Sequence, residues 1–257
     1  MGATLKAMQH AMENHDGPGN PPFVDKVLAL AVDNVGKNDL AIFGNLAFHA
    51  KVEPLGFIAV RDLHLPLDTA CHRESTKWAG CQVVGAPFKY EGMNIDRIAD
   101  KDAEYGVFFD ASTREARKAG LGEQAGADIA DEHFIRKWLA DFKDANGDPH
   151  PNQVAVEPLQ RGNPVEVLAQ RPLKPGEVLI VSYEAMGPNG QMVGSHTMSL
   201  SAASDPPQLF DTNSRSVYNI ERADLGSALE RFVTAVTPKR HSLQWCMTRV
   251  SPSTPPI

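Results

Sequence analysis

Three side chains in this sequence could supply a nucleophile, a general base and a group that orients the base. Cys71 lies in the segment LDTACHRESTKWAG, His196 in GSHTMSL and Asp211 in LFDTNSRSV. A thiol becomes a strong nucleophile only as the thiolate, and a nearby imidazole held by a third group is a common way to generate one. The three residues therefore predict covalent catalysis by Cys71, with His196 as the base and Asp211 as its orienter.

The segment around Cys71 predicts a helix from about Cys71 to about Gly80, which Asp68 or Thr69 can cap. The sulfur then lies in the first turn of the helix. Free N–H groups and the partial positive charge there favour a thiolate and can hold an oxyanion. His72 points about 100° away from Cys71 around the helix, so it is a poor base for that sulfur.

His196 and Asp211 lie in two consecutive β-rich segments. A hairpin centred between residues 203 and 204 places them directly opposite each other, and the turn residues SAASDPP lie around that centre. Opposite residues have Cβ atoms roughly 5 Å apart, which suits a carboxylate that bonds one imidazole nitrogen and leaves the other for the sulfur. Considered alone, His196 could be an ordinary strand histidine whose hydrogen bonds are satisfied in the core or at the surface, and Asp211 could simply begin an Asx turn. Their occurrence together with Cys71 favours a triad.

The other two cysteines are predicted to be structural. Cys81 lies at the far end of the same helix as Cys71, where the helix dipole opposes a thiolate. Cys246 lies beside Trp245 in an apolar strand and is expected in the core. Three cysteines fit neither a disulfide framework nor a zinc motif, and they indicate a reducing compartment.

Composition and charge are those of an ordinary globular chain. The 257 residues are 42% apolar and 22% charged, and the net charge of −7 argues against nucleic acid as the main partner. No apolar run reaches the roughly 18 residues of a membrane span, and the N-terminus lacks the apolar core of a classical signal peptide. Because the motifs of metalloproteases, dinucleotide-binding proteins and P-loop proteins are missing, no cofactor or metal is expected.

The chain is predicted to contain a flexible N-terminal segment at 1–22, a single domain at 23–250 and a disordered tail at 251–257. Helical patterns precede short β-rich segments, which predicts an α+β domain with an antiparallel sheet. Helices are expected at 24–35, 111–122, 126–145 and in DLGSALERFVTAV, and strands in EVLIVSYEA, GSHTMSLSA, PQLFDTNS and HSLQWCMTRV. The most amphipathic helix is 126–145, whose apolar side chains are Ile129, Phe134, Trp138, Leu139 and Phe142.

The three site segments resemble those of the YopT/AvrPphB-type papain-like cysteine proteases, which bacterial pathogens and symbionts deliver into host cells. That family's nucleophile segment reads Gly-x-Cys-x-x-Leu-x-x-x-Trp, and Cys71 and Trp78 stand at the same spacing. The pentapeptide from His196 to Leu200 resembles the family's histidine strand. The pentapeptide from Leu209 to Asn213 resembles its Phe-Phe-Asp-Pro-Asn segment. The resemblance implies a papain-like fold in which a helical part precedes a central antiparallel sheet.

The same resemblance implies a function. Cys71 would be the nucleophile, His196 the general base and acid, and Asp211 the orienting carboxylate of a cysteine endopeptidase. Its substrate would be a host protein, and the chain would be a bacterial effector secreted into the host cell without a classical signal peptide. The target, the cleavage sequence and the oligomeric state stay open.

Two alternatives also stay open. The same triad can deamidate a glutamine side chain or transfer an acyl group, because both reactions pass through the same thioester.

In the second alternative, the chain binds host proteins without catalysis. Glu74 replaces the family's Leu, and its charge raises a nearby thiol pKa unless it points to solvent or pairs with Arg73 or Lys77. The residues just upstream of Cys71 also lack a Gln or Asn to serve as an oxyanion donor, which leaves Asn45 as a distant candidate.

Overall fold

The structure, a computed structural model, describes residues 48–62, 71–88, 95–140, 154–188, 192–214, 216–221, 224–237 and 242–253. Within these residues eight strands form one antiparallel sheet with helices packed on both faces, which confirms the predicted α+β class. No helix in this part of the chain is long and apolar enough to cross a membrane. The segment 1–22, the helix predicted at 24–35, the caps Asp68 and Thr69, and Asn45 lie outside the described residues.

The elements of the fold follow one another along the chain in a simple order. A 3₁₀ turn at Glu53–Leu55 precedes the first strand, and three helices come next. The bounds are β1 Phe57–Asp62, α1 Cys71–Val84, α2 Ile95–Lys118, α3 Glu123–Ala140, β2 Val154–Val156, β3 Gln160–Arg161, α4 Pro164–Gln170, β4 Val178–Met186, β5 Met192–Ser201, β6 Gln208–Asp211, β7 Ser216–Ile220, α5 Leu225–Val236 and β8 Ser242–Pro252.

The sheet has the order β1-β7-β6-β5-β4-β8-β2, with β3 also paired to β8. Strand β4 lies between β5 and β8, and its side chains are buried on both faces because alternate residues point to opposite sides. Leu179 and Val181 face a core shared with α5, whereas Val178 and Ile180 face a second core shared with α1 and α3. The sheet is therefore the middle layer, and α1 lies on the same side as α3.

Two helices differ from their predicted bounds. The helix expected at 111–122 is the end of the longer α2, which begins at Ile95, and Gly120 follows its last turn with a φ of 73°. Helix α3 covers 123–140, and residues 141–145 lie outside the described residues. Phe134 and Leu139 are buried as predicted, but Ile129 is 52% exposed. Residue 129 lies about 140° around the helix from residue 134, so it cannot share that buried stripe.

The four predicted strands are confirmed as β4, β5, β6 and β8, and the helix in DLGSALERFVTAV is α5. The sequence did not predict β1, because Pro54 and Gly56 interrupt the apolar pattern just before it. Strand β8 extends two residues into the predicted tail, since Ser251 and Pro252 pair with β2. The tail beyond residue 253 lies outside the described residues.

Candidate active site

Cys71 is the first residue of α1, and its side chain is partly exposed. His196 hydrogen-bonds the sulfur, as do the backbone N–H groups of Thr197 and His72. Burial alone raises a thiol pKa, but the bond to His196, the charge of His196 and the two N–H groups outweigh it and lower the pKa of Cys71. The sulfur thus lies in the first turn of a helix, as the sequence predicted, where the helix dipole also favours the thiolate.

His196 lies between the sulfur and a carboxylate. Its Nε2 is 2.6 Å from Asp211 Oδ1, so Nδ1 is the ring nitrogen left for Cys71. The imidazole is buried, and burial alone disfavours its charged form. The hydrogen bond and charge of Asp211, and then those of Cys71, raise the pKa of His196 to about 10. These contacts stabilise the imidazolium beside the thiolate.

Asp211 is almost fully buried, with 1% of its surface exposed. One carboxylate oxygen bonds His196, and the other accepts the backbone N–H of Ser214 at 2.8 Å. Burial raises the pKa of this carboxyl, but His196 and Ser214 together lower it below its ordinary value. Asp211 therefore begins an Asx-type turn and orients the imidazole at the same time, with one oxygen for each role.

The register of the β5–β6 hairpin differs from the predicted one. Asp211 is paired with Met198, not with His196, because the hairpin is centred between residues 204 and 205, one residue later than expected. This moves Asp211 two residues along β5 from His196. Side chains alternate with a period of two, so both still point to the same face and meet diagonally.

The acidic residue one turn after Cys71 is neutralised within its own helix. Glu74 is 2% exposed, and its Oε1 lies 3.0 Å from Arg73 Nη2. This is one of the two pairings under which the sequence allowed a low thiol pKa despite Glu74. The charge of Glu74, which favoured a non-catalytic protein, is thus balanced by the guanidinium of Arg73.

Cys81 and Cys246 lie in the core, as predicted. Burial raises the pKa of Cys81 to about 11 and that of Cys246 to about 12. Both thiols therefore stay protonated near neutral pH. Among the described cysteines, Cys71 alone has a lowered pKa.

A cavity of ≈ 190 Å³ lies beside Cys71, on the face of the sheet that is covered by α1 and α3. Its walls come from α1, α2, α3, β4 and β5, and the polar and aromatic lining residues include His72, Arg73, Tyr105, Phe109, Asp131, Trp138, Glu184 and Thr197. This site was not predicted from the sequence, although one signal was present. Glu184 is a charged residue within the predicted strand segment EVLIVSYEA, after the apolar residues VLIV. The described residues contain no group of three or more His, Cys, Asp or Glu side chains that could hold a metal.

Comparisons with known proteins give one structural neighbour. No family model matches this chain, and no curated protein matches it. The crystal structure of Pseudomonas avirulence protein AvrPphB is similar to 78% of this chain over 99% of its own length, with 14% sequence identity and a TM-score of 0.40. A likeness at this level does not establish a shared activity.

Proposed function

We propose that this protein is a papain-like cysteine endopeptidase with Cys71, His196 and Asp211 as its catalytic triad. The observation that supports it best is the imidazole of His196, which bonds the Cys71 sulfur through one nitrogen and Asp211 through the other. The pKa of the thiol is lowered and that of the imidazole is raised. A thiolate–imidazolium pair is the form of a cysteine nucleophile that is ready for attack.

Each residue has a defined step in the proposed reaction. The Cys71 thiolate attacks the carbonyl carbon of a peptide bond, and the carbonyl oxygen takes up the negative charge. Free N–H groups in the first turn of α1 are suitable donors to that oxyanion. The imidazolium of His196 then gives its proton to the leaving amine, and a thioester forms. Neutral His196 removes a proton from water, which hydrolyses the thioester, while Asp211 keeps the ring in place.

We propose a host-cell protein as the substrate and the role of a secreted bacterial effector for the chain. This part of the proposal rests on the resemblance of the segments around Cys71, His196 and Asp211. It is tested by incubating wild type and Cys71→Ala with extracts of candidate host cells and identifying new protein N-termini by mass spectrometry. New termini that require Cys71 support peptide-bond cleavage. A glutamine-to-glutamate mass gain without new termini would replace it by deamidation.

The triad itself is tested by the rate of iodoacetamide modification of Cys71 as a function of pH. In wild type, the apparent thiol pKa should lie well below the ordinary value of about 8.5. In His196→Ala it should return to that value or exceed it, because burial without the imidazole raises it. His133→Ala is a matched control, since His133 is an exposed histidine of α3. An ordinary thiol in wild type, unchanged by His196→Ala, would leave a binding protein as the better explanation.

A further inference from the structure

The carboxylate of Asp211 needs two hydrogen bonds to be held in one orientation. The last torsion of an aspartate side chain is soft, so the bond between Oδ1 and His196 does not by itself fix the plane of the carboxylate. The backbone N–H of Ser214, which donates to Oδ2 at 2.8 Å, supplies the missing constraint. Whatever holds Ser214 in place therefore also holds the orienter of the imidazole.

Ser214 is held in turn by Ser216. The hydroxyl of Ser216 donates to the carbonyl oxygen of Ser214 at 2.9 Å. Ser216 is the first residue of β7 and lies opposite Asp211 in the pairing of β6 with β7. All three residues are buried, so water does not readily replace these bonds. Ser214 is thus fixed at its N–H and at its carbonyl oxygen.

The same chain of hydrogen bonds continues to His49, which lies 167 residues before Ser216. His49 Nε2 is 3.0 Å from Ser216 Oγ. A hydroxyl has one hydrogen, and that of Ser216 is directed at Ser214, so Ser216 Oγ is the acceptor here and His49 Nε2 is the donor. The N–H at Nε2 is present in this neutral tautomer and also in the imidazolium. The bond therefore does not depend on the charge of His49.

His49 is packed firmly enough to serve as an anchor. Its ring meets the ring of Tyr218 edge-on, with 5.5 Å between the centroids. The adjacent Phe48 contacts Phe232 of α5, with 5.6 Å between their centroids. A side chain that is already restricted by packing loses little entropy when it donates a hydrogen bond. The ring of His49 is thus suited to fix the hydroxyl of Ser216.

We propose that His49 is a positioning residue of the active site, which holds the carboxylate of Asp211 through Ser216 and Ser214. The inference rests on the proposed function, in which Asp211 orients His196. Loss of the donor at His49 frees the hydroxyl of Ser216 to turn, and the support of Ser214 weakens. The carboxylate then departs from its alignment with His196, and the imidazolium is less stable.

The role of His49 is tested first by NMR titration of the His196 ring in Cys71→Ala, where no thiol titrates at the site. Burial disfavours the charged ring, but Asp211 should still keep the pKa of His196 above its ordinary value of 6.5. Adding His49→Leu, which removes the donor, should lower this pKa so that about threefold less imidazolium remains on the alkaline side of the titration. In the protein with its thiol, His49→Leu should raise the apparent pKa of Cys71 measured with iodoacetamide.

His49→Gln is the rescue variant. The amide nitrogen of glutamine reaches about as far as Nε2 of histidine, and it donates without titrating. His49→Gln should therefore keep the titration of His196 and the alkylation profile of Cys71 close to those of the parent. If glutamine changes both as strongly as leucine does, the donor at residue 49 is not what matters.

A double-variant cycle tests whether the effect passes through Ser216. Ser216→Ala should lower the pKa of His196 by itself, because it removes the support of Ser214. In the Ser216→Ala background, His49→Leu should then change the titration of His196 no further. Independent, additive effects of the two substitutions would overturn the proposed route.

Phe48→Leu is the matched control for a purely structural effect. It weakens the packing of the same segment against Phe232 and leaves the bond between His49 and Ser216 in place. It should lower the free energy of unfolding in urea without moving the titration of His196. If Phe48→Leu lowers the pKa of His196 as much as His49→Leu does, His49 has only a structural role.

The same measurements separate the role of His49 from the triad. A raised His196 pKa that His49→Leu leaves unchanged would overturn the role of His49 while the triad stands. An ordinary Cys71 thiol, together with a His196 titration that responds to His49→Leu, would end the protease proposal and leave His49 as the support of the His196–Asp211 pair. An ordinary His196 pKa in Cys71→Ala would overturn both, because Asp211 would then not be held against the imidazolium.

Discussion

The hydroxyl of Ser75 donates a hydrogen bond to the backbone carbonyl oxygen of Thr197 at 3.0 Å. In return, the hydroxyl of Ser199 donates to the carbonyl oxygen of Ser75 at 2.9 Å. All three residues are buried. Ser75 lies one helical turn after Cys71, and Thr197 follows His196 in β5. The two bonds therefore hold the helix of the nucleophile against the strand of the base.

Replacing Ser75 by alanine should disturb both stability and the thiol. The loss of one buried hydrogen bond should cost about 1 kcal/mol of unfolding free energy, measured in urea. Because α1 is then held less firmly against β5, the bond between Cys71 and His196 weakens. The apparent thiol pKa from iodoacetamide modification should rise toward its ordinary value.

Thr76→Ala is the control for Ser75→Ala. The hydroxyl of Thr76 is also buried, but it donates to the carbonyl oxygen of His72 within the same helix, at 2.8 Å. This variant should lose similar stability and keep the wild-type alkylation profile. Identical profiles for both variants would show that the Ser75 bond does not position the thiol.

Asp211→Asn should lower the pKa of His196 from about 10 toward its ordinary value of 6.5. The amide oxygen can still accept from one nitrogen, but it lacks the charge that stabilises the imidazolium. With less imidazolium present, the pKa of Cys71 should rise. Both effects can be measured, by NMR titration of the His196 ring and by iodoacetamide modification.

Asp224→Asn is a suitable comparison for that experiment. Asp224 caps α5 through a bond to the N–H of Ser227 at 3.1 Å, outside the site. It should leave the titration of His196 unchanged. If Asp211→Asn behaves like Asp224→Asn, the carboxylate of Asp211 has no part in charging the imidazole.

The meeting of His196 with Asp211 could be predicted from the sequence because it depends on the period of two in a strand. The predicted centre of the hairpin was one residue too early, so the residue opposite Asp211 is Met198 and not His196. A shift of two positions along a strand leads to the same face of the sheet, so His196 and Asp211 still meet. The helix that begins at Cys71 was also predictable, since its first residue was expected from the segment around the cysteine itself. Local rules therefore suffice for the meeting of His196 with Asp211 and for the helix of Cys71, whereas the contact between Cys71 and His196 depends on how α1 packs against β5.

The cavity could not be predicted in the same way. Tyr105 lies on α2, Trp138 on α3 and Glu184 on β4, and only the packing of these elements brings them together. Ile129 illustrates the limit within a single helix, because an apolar residue at a plausible spacing lies on the exposed side. Which face of a helix is buried depends on its partners, and the sequence of the helix alone does not specify them.

Iodoacetamide near pH 7 should modify Cys71 and leave the other two thiols intact. Cys81 and Cys246 are buried, with pKa values raised to about 11 and about 12, so neither forms thiolate at this pH. Peptide mass spectrometry of the alkylated protein gives the site directly. Cys81→Ser and Cys246→Ser should each leave the rate at Cys71 unchanged. Modification of Cys246 at the rate of Cys71 would contradict the burial of that strand residue.

The His196–Asp211 pair should make stability depend on pH in the Cys71→Ala variant, where no thiol titrates at the site. The raised pKa of His196 adds stability that is complete below 6.5, its ordinary value, and is lost as pH rises through the folded value. The lowered pKa of Asp211 adds stability that is complete above 3.8 and is lost as pH falls through the folded value.

The free energy of unfolding of Cys71→Ala should therefore be highest between about pH 4 and pH 6.5 and should fall on the alkaline side. Urea unfolding at intervals from pH 4 to pH 10 measures it. The double variant Cys71→Ala, His196→Gln keeps a polar side chain without the titration, so its stability should be flatter above pH 6.5. If both variants lose the same stability over that range, Asp211 does not stabilise the imidazolium of His196 in the folded protein.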